Sequence, residues 1–405
     1  MKIGILTYHA VCNFGANLQV LSTVSFIRKS GHTPIVINWL TEELDFQYSS
    51  TTIVEQYNIH KDYREKYLPL TKRCYTDEDI VRTICEEDID AIIVGSDAVT
   101  QHHPWLSRIV FPCRKIITIV KATKDRMCPN PFWGSFYNKL DKKIPLVMMS
   151  GSSQNSSFKL LGRKEKLMLK EHIMQFSYVS TRDDWTSKMI NYITDGQITP
   201  KVTPDPVFAF NANVINEQIS KNELYEKFNL PDKYFVLSFH NSHNVSLEWL
   251  SDFEKIANQN GIECIALPFP NGIKYKHPFR RSIKLPLSPL EWYAIIKYSQ
   301  GYIGNNMHPI VVSLHNAIPC FCFDNYGIIK FRLYVNEKSS KIFHIMKHFG
   351  VSENRVNSLG FGYKAPTPQF VFNKLMSYDK KKIKKIASIF EKEYFEMMDN
   401  IFKVI

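Results

Sequence analysis

The chain has 405 residues, of which 44% are hydrophobic and 22% charged, with a formal net charge of +12. This length suits two cores better than one, and the composition excludes a disordered or fibrous chain. No apolar run is long enough to span a membrane. The eight cysteines are scattered without a CxxC pair, which fits reduced thiols and gives no support for a zinc site. Without zinc-finger spacing or an aromatic RNP pattern, the basic balance points to phosphorylated substrates or lipid headgroups before nucleic acid.

In chain order, Lys2–Tyr8 reads as a first strand without a signal-peptide layout, Asn17–Arg28 as a helix and Pro34–Trp39 as a second strand. Ala91–Val94 is a buried strand ending in Gly95–Ser96–Asp97, and Pro145–Met149 is another. Residues 105–143 interrupt the rhythm with a basic, aromatic stretch containing Trp105, Phe132, Trp133, Phe136 and Tyr137. It is either a lid or binding insertion, or a structured insert with no role. Tyr178–Val179 precedes Thr181–Arg182–Asp183, which opens a helix. Residues 196–210, with three prolines, separate two halves.

The pattern then restarts. Tyr234–Phe239 and Glu263–Leu267 read as strands, and Glu248–Asn258 and Leu290–Tyr298 as helices. Residues 301–326, GYIGNNMHPIVVSLHNAIPCFCFDNY, read as strand, turn, helix, strand. The turn Gly304–Asn305–Asn306 puts a helix N-terminus at a strand's carboxyl end, where open α/β sheets bind anions. His308 lies in that helix's first turn, either as a ligand or proton-transfer group or as an exposed polar residue. Cys320 and Cys322 share one strand face, as core residues. From about Asp379 a last helix offers Ile383, Ile386, Phe390 and Ile401 to one face. Its lysines cluster at the N-terminal end, where the dipole disfavours them. The whole is α/β: two Rossmann-like domains facing a cleft, in the manner of glycosyltransferase-B-like proteins. The expected division is 1–198, 199–378 and a C-terminal basic amphipathic helix over 379–405.

Several strand-end segments, taken in order, resemble the polysaccharide pyruvyl transferase family. They are KIGILTYHAVCNFGANLQVLS, AIIVGSDAV, VSTRDDWTSKMI, TPDPVF and PLEWYAIIKYSQGYIGNNMHPIVVSLHNAIPCFCFD. The resemblance covers about residues 1–345. In this chain Asn306 stands where many members carry Arg, Ala98–Val99–Thr100 replaces the usual Gln-Val-Trp, and Ala317 replaces a Gly.

The resemblance implies transfer of a pyruvyl group from phosphoenolpyruvate to a sugar of a cell-surface glycan precursor, forming a ketal. Phosphoenolpyruvate would be a co-substrate, and neither metal nor redox cofactor is required. The first domain would be the acceptor side and the second the donor side. By position, His308 would transfer a proton or contact phosphate, and Asp97 would be a base or a hydroxyl acceptor, or an N-cap. Arg182 would pair with the donor's carboxylate or phosphate, or with Asp183 or Asp184. Lys330 is a second cation or a plain exposed lysine. Asn306 and the backbone amides after it would help hold the anion. Asn13, Gly15 and Asn17 would meet acceptor hydroxyls, unless Asn17 caps the helix. His240 and His243 face the same cleft and rank below His308. The acceptor would be a lipid-linked or nucleotide-linked sugar, and the location cytoplasmic, with peripheral contact at the anionic inner membrane face left open. Two other readings stand beside this one: a nucleotide-sugar glycosyltransferase, and a non-catalytic glycan-binding relative.

Overall fold

A computed structural model describes residues 1–110, 118–241, 243–330, 334–360 and 362–405. Two parallel sheets dominate it. The first has seven strands in the order Leu70–Cys74, Thr33–Trp39, Lys2–Leu6, Ala91–Asp97, Leu146–Gly151, Tyr178–Thr181, Lys201–Val202. The second has six, in the order Arg281–Ser282, Glu263–Ala266, Tyr234–Ser238, Gly301–Gly304, Cys320–Asp324, Arg355–Asn357. The central strands are buried along almost their whole length because helices cover both faces, so they read as continuous apolar runs. Cys320 and Cys322 are fully buried in this core.

Strand order reverses between Lys2–Leu6 and Ala91–Asp97 in one sheet, and between Tyr234–Ser238 and Gly301–Gly304 in the other. Ligands bind at such switch points, beyond the strands' carboxyl ends. The two switch points face each other here.

The structure bears on three points of organisation. Lys201–Val202 pairs with Tyr178–Thr181, so the first sheet runs past residue 198. In the 105–143 insertion, left open between a binding element and a structured insert, Phe132, Trp133 and Phe136 are core residues of the first domain. The last helix, Lys380–Phe402, is not simply a basic surface element. Asp379 caps it, accepting from the Lys382 amide at 2.9 Å. Ile383 and Ala387 pack into the second domain's core, while Tyr394, Met397, Met398 and Ile401 pack with Ile3, Ile5, Val20 and Val24 of the first. Burial of this stripe outweighs the adverse dipole of a few tenths of a kcal/mol per lysine, and the helix straps the domains together.

A shared core joins them as well. Phe14, Leu18, Leu21 and Tyr63 lie in one apolar cluster with Trp292, Ile310 and Val311. Phe14 stacks on Trp292 with centroids 5.3 Å apart. The buried Gln56 side chain donates to the Leu287 carbonyl at 2.8 Å and accepts from its amide at 2.7 Å.

Candidate active site at the domain seam

The helix Phe14–Lys29 begins three residues earlier than its apolar spacing suggests, and this decides which asparagine caps it. Asn13 is the cap, its Oδ1 accepting from the Gly15 and Ala16 amides at 3.1 and 3.3 Å. Asn17 falls one turn inside. It is fully buried, donating to the His9 carbonyl and bonded to His60 Nδ1 at 2.8 Å. The expectation that Asn17 meets substrate is therefore corrected: it is a framework residue.

Gly15 serves the site by lacking a side chain. A Cβ there would lie 2.0 Å from His308 Cγ, so the imidazole of the second domain rests directly on this backbone of the first. His308 opens the helix Met307–His315 and is 5% exposed, not the solvated polar residue that a helix start allows. Burial, only partly offset by Asp97 and Asp205, lowers its pKa to about 4, so the ring is neutral at pH 7. Its Nε2 is buried with no hydrogen-bond partner among the described residues. Asn306 occupies the N-cap position without making a side-chain cap, which leaves its amide to the cleft.

Asp97 ends its strand at a φ of +78°, a left-handed conformation that costs energy for a non-glycine and often marks a functional site. Burial alone would raise its pKa. Arg182 overrides this, aided by His308 and Lys341, and holds the carboxyl below the usual range. Asp97 is thus ionised at neutral pH.

Arg182 itself departs from expectation. It lies before the Asp183 cap, its side chain is 3% exposed, and it bonds Asp205 at 2.7 Å and Asp97 at 3.3 Å, not Asp183 or Asp184. Asp205 is fixed in turn by Gln19 and the Val207 amide. Arg182 neutralises two buried carboxylates and so acts as framework, with its charge already spent.

The side chain of Lys330 lies outside the described residues. The cation that the structure brings to the site is Lys341, which the sequence reading missed. It is 7% exposed and sits 5.0 Å from the Tyr326 ring centroid. Burial and the Arg182 charge lower its pKa to about 8, so it is largely protonated at neutral pH. Asp324, fully buried, organises this corner. It accepts from the Tyr326 amide at 2.8 Å, from Ser340, which caps the Lys341 helix, at 2.6 Å, and from Arg355 at 2.7 Å.

Asp97, His308, Lys341, Asn306 and Tyr326 line one chamber of about 160 Å³, with Arg126 also in its wall. His308 also borders a second cleft of about 200 Å³, with Asn13, Gly15, Trp292 and the loop Pro268–Asn271. There His240 stacks on Phe269, rings 4.0 Å apart, and its amide donates to the buried Asn305 side chain at 3.1 Å. His243 is exposed. Among the described residues no cluster of three or more His, Cys, Asp or Glu is placed to hold a metal ion, and no helix is long and apolar enough to cross a membrane.

The chain is similar in structure to the UDP-GlcNAc 2-epimerase of Neisseria meningitidis solved with UDP-GlcNAc (TM-score 0.53, 10% identity, 100% of both chains covered). It is also similar to the UDP-GlcNAc 2-epimerases of Methanocaldococcus jannaschii (0.51, 13%, 96% of this chain and 99% of that one) and Rickettsia bellii (0.51, 9%, 99% and 96%). At such identities the likeness speaks for the fold, which is glycosyltransferase-B-like as expected. No curated protein matches the sequence. The sequence profile of the polysaccharide pyruvyl transferase family matches residues 13–326, most of the chain and most of the chamber lining, with Tyr8, Val11 and Lys341 outside it. The protein belongs to the polysaccharide pyruvyl transferase family.

Proposed function

We propose that the chain transfers a pyruvyl group from phosphoenolpyruvate to two hydroxyls of a sugar, forming a ketal and releasing inorganic phosphate. The observation that carries this reading is the chamber at the seam, where a buried lysine, a neutral histidine and an ionised aspartate share a volume suited to a small anion. Lys341, with Arg126 beside it, supplies positive charge for the donor's phosphate and carboxylate. Asp97 accepts the proton of the attacking hydroxyl as its oxygen bonds to C2 of the donor. His308, neutral when the site is empty, gains basicity once a phosphate dianion sits beside it. It then delivers the proton that turns the methylene into a methyl group. The C2–O bond to phosphate breaks, the second hydroxyl closes the ketal, and its proton leaves on the departing phosphate, while the proton held by Asp97 restores His308. The neighbouring cleft, with Asn13, Asn306 and the His240–Phe269 stack, has the polar and flat surfaces that hold a sugar.

A nucleotide-sugar transferase would favour an acidic residue on the ribose, and the lining of that cleft includes no Asp or Glu among the described residues. Asn306 stands where many members of the family carry Arg, and Lys341 supplies a cation within the same chamber. Thermal unfolding with millimolar phosphoenolpyruvate or UDP-N-acetylglucosamine tests the reading. A ligand at a hundred times its Kd stabilises the fold by about 2.7 kcal/mol. Stabilisation by phosphoenolpyruvate is expected. A shift with the nucleotide sugar alone would overturn the proposal.

A further inference from the structure

A face beside the chamber has a chemistry that the reaction does not use. Each domain carries one short antiparallel strand pair: Ile109–Val110 with Thr118–Ile119, and Ile328–Lys330 with Tyr334–Asn336. The second pair borders a groove of about 540 Å³ whose lining includes Ser107, Leu160, Trp185, Ile328 and Ile329. The apolar residues on this face are solvent-exposed: Trp105 49%, Leu106 52%, Ile119 49%, Val120 50%, Leu160 43% and Ile329 50%. They belong together. The turn Trp105–Arg108 packs on the turn Phe158–Leu160, and the Val120 amide donates to the Arg108 carbonyl at 2.8 Å. Isolated exposed apolar residues are ordinary, but Leu160 and Ile329 in the groove wall, with Trp105, Leu106, Ile119 and Val120 on the adjoining turn and strand, mark an interaction surface.

The charge around the face selects the partner. Lys121, Lys124, Lys159, Arg163, Lys164 and Lys338 are exposed on the same segments. The acidic side chains among them are engaged: Glu165 accepts from the Trp105 and Gly162 amides, and Glu337 pairs with Arg355. Apolar side chains at half exposure within a basic rim match the boundary of an anionic bilayer, where acyl chains meet charged headgroups. The groove and the chamber draw on the same two chain segments. Gln154 and Tyr326 line the chamber, and Ser157 and Ile328, a few residues on, line the groove.

We infer that this face docks the protein on the surface of an anionic lipid bilayer, with the chamber mouth held beside the headgroups. The inference does not depend on which group the enzyme transfers. It places the acceptor's sugar within reach of the site when that sugar is carried on a lipid in the same membrane.

Flotation of the full-length protein with vesicles tests it, using phosphatidylcholine alone and phosphatidylcholine mixed with phosphatidylglycerol. The wild type should float with the anionic vesicles only, and salt should release it. The Leu106→Ser/Ile329→Ser double variant should lose about tenfold in partitioning at an unchanged melting temperature. Lys121→Glu and Lys159→Glu should each lose roughly fivefold. Failure of the wild type to float would overturn the inference. So would equal flotation of the double variant, or loss of flotation in Lys381→Glu/Lys385→Glu instead. A wild-type dimer that the double variant converts to monomer would show that a second copy covers the face, and would overturn it too.

Discussion

Along the flank of the helix Phe14–Lys29 the two domains share an apolar core. At its N-terminal end they face each other across charged and polar groups. The first region fixes geometry: Phe14 stacks on Trp292, and Gln56 ties itself to the Leu287 backbone. The second gathers the groups proposed to react: Asp97 from one domain, His308 and Lys341 from the other. Residues 13 to 15 belong to both, since Phe14 enters the core while Gly15 supports the His308 ring. Two loops that must meet within a bond length or two are held by a packed core, which supplies the preorganisation that catalysis needs.

Substitutions can break this division of labour at different points. His308→Ala should cost the most in rate, about 10²–10⁴ in kcat with the melting temperature nearly kept, as read by phosphate release from phosphoenolpyruvate. Arg182→Met should act on the fold instead. It leaves Asp97 and Asp205 buried without their partner, and should lower unfolding stability by about 3–5 kcal/mol in a urea titration. If Arg182→Met kept full stability and lost only donor binding, the framework role would be wrong. Gly15→Ala joins the two regions. Its new methyl must displace His308, so kcat should fall by about 10² while circular dichroism stays native. The smallest effect is expected at Ala317, which holds a φ of +53° just past the end of its helix. Ala317→Gly should raise stability by about 1 kcal/mol in thermal unfolding, because this left-handed position favours glycine.

The Ala317 geometry also shows how much the sequence can say. The family pattern has Gly there, and the positive φ supplies the reason. The segment over 301–326 was legible because its turn residues and its change of period are local, and so was the alternation of strands and helices that implies two facing domains. The pairing of Arg182 with Asp97 and Asp205 was not. It depends on the ends of three strands of one sheet, one of them separated from the other two by Leu146–Gly151, an order that no local pattern encodes. Asn17 failed for a smaller reason: a helix start displaced by three residues moves the cap to Asn13 and turns Asn17 inward. Lys341 carries no signal of its own, since it follows an ordinary serine cap and reaches the chamber only through the buried Asp324, Ser340 and Tyr326 contacts. The insertion's aromatics invited a binding role because composition alone does not separate a stacking platform from a core.

The central claim is that a small anionic donor binds in the seam chamber against Lys341. The most direct test is calorimetric titration of phosphoenolpyruvate into wild type and Lys341→Met over a range of pH. Loss of a charge-assisted contact should weaken binding by about 10–100-fold. The wild-type affinity should fall as pH rises through about 8, where this lysine loses its proton, and the variant should not show that fall. Wild-type protein that does not bind phosphoenolpyruvate, or a variant that binds it equally well with the same pH profile, would contradict the account.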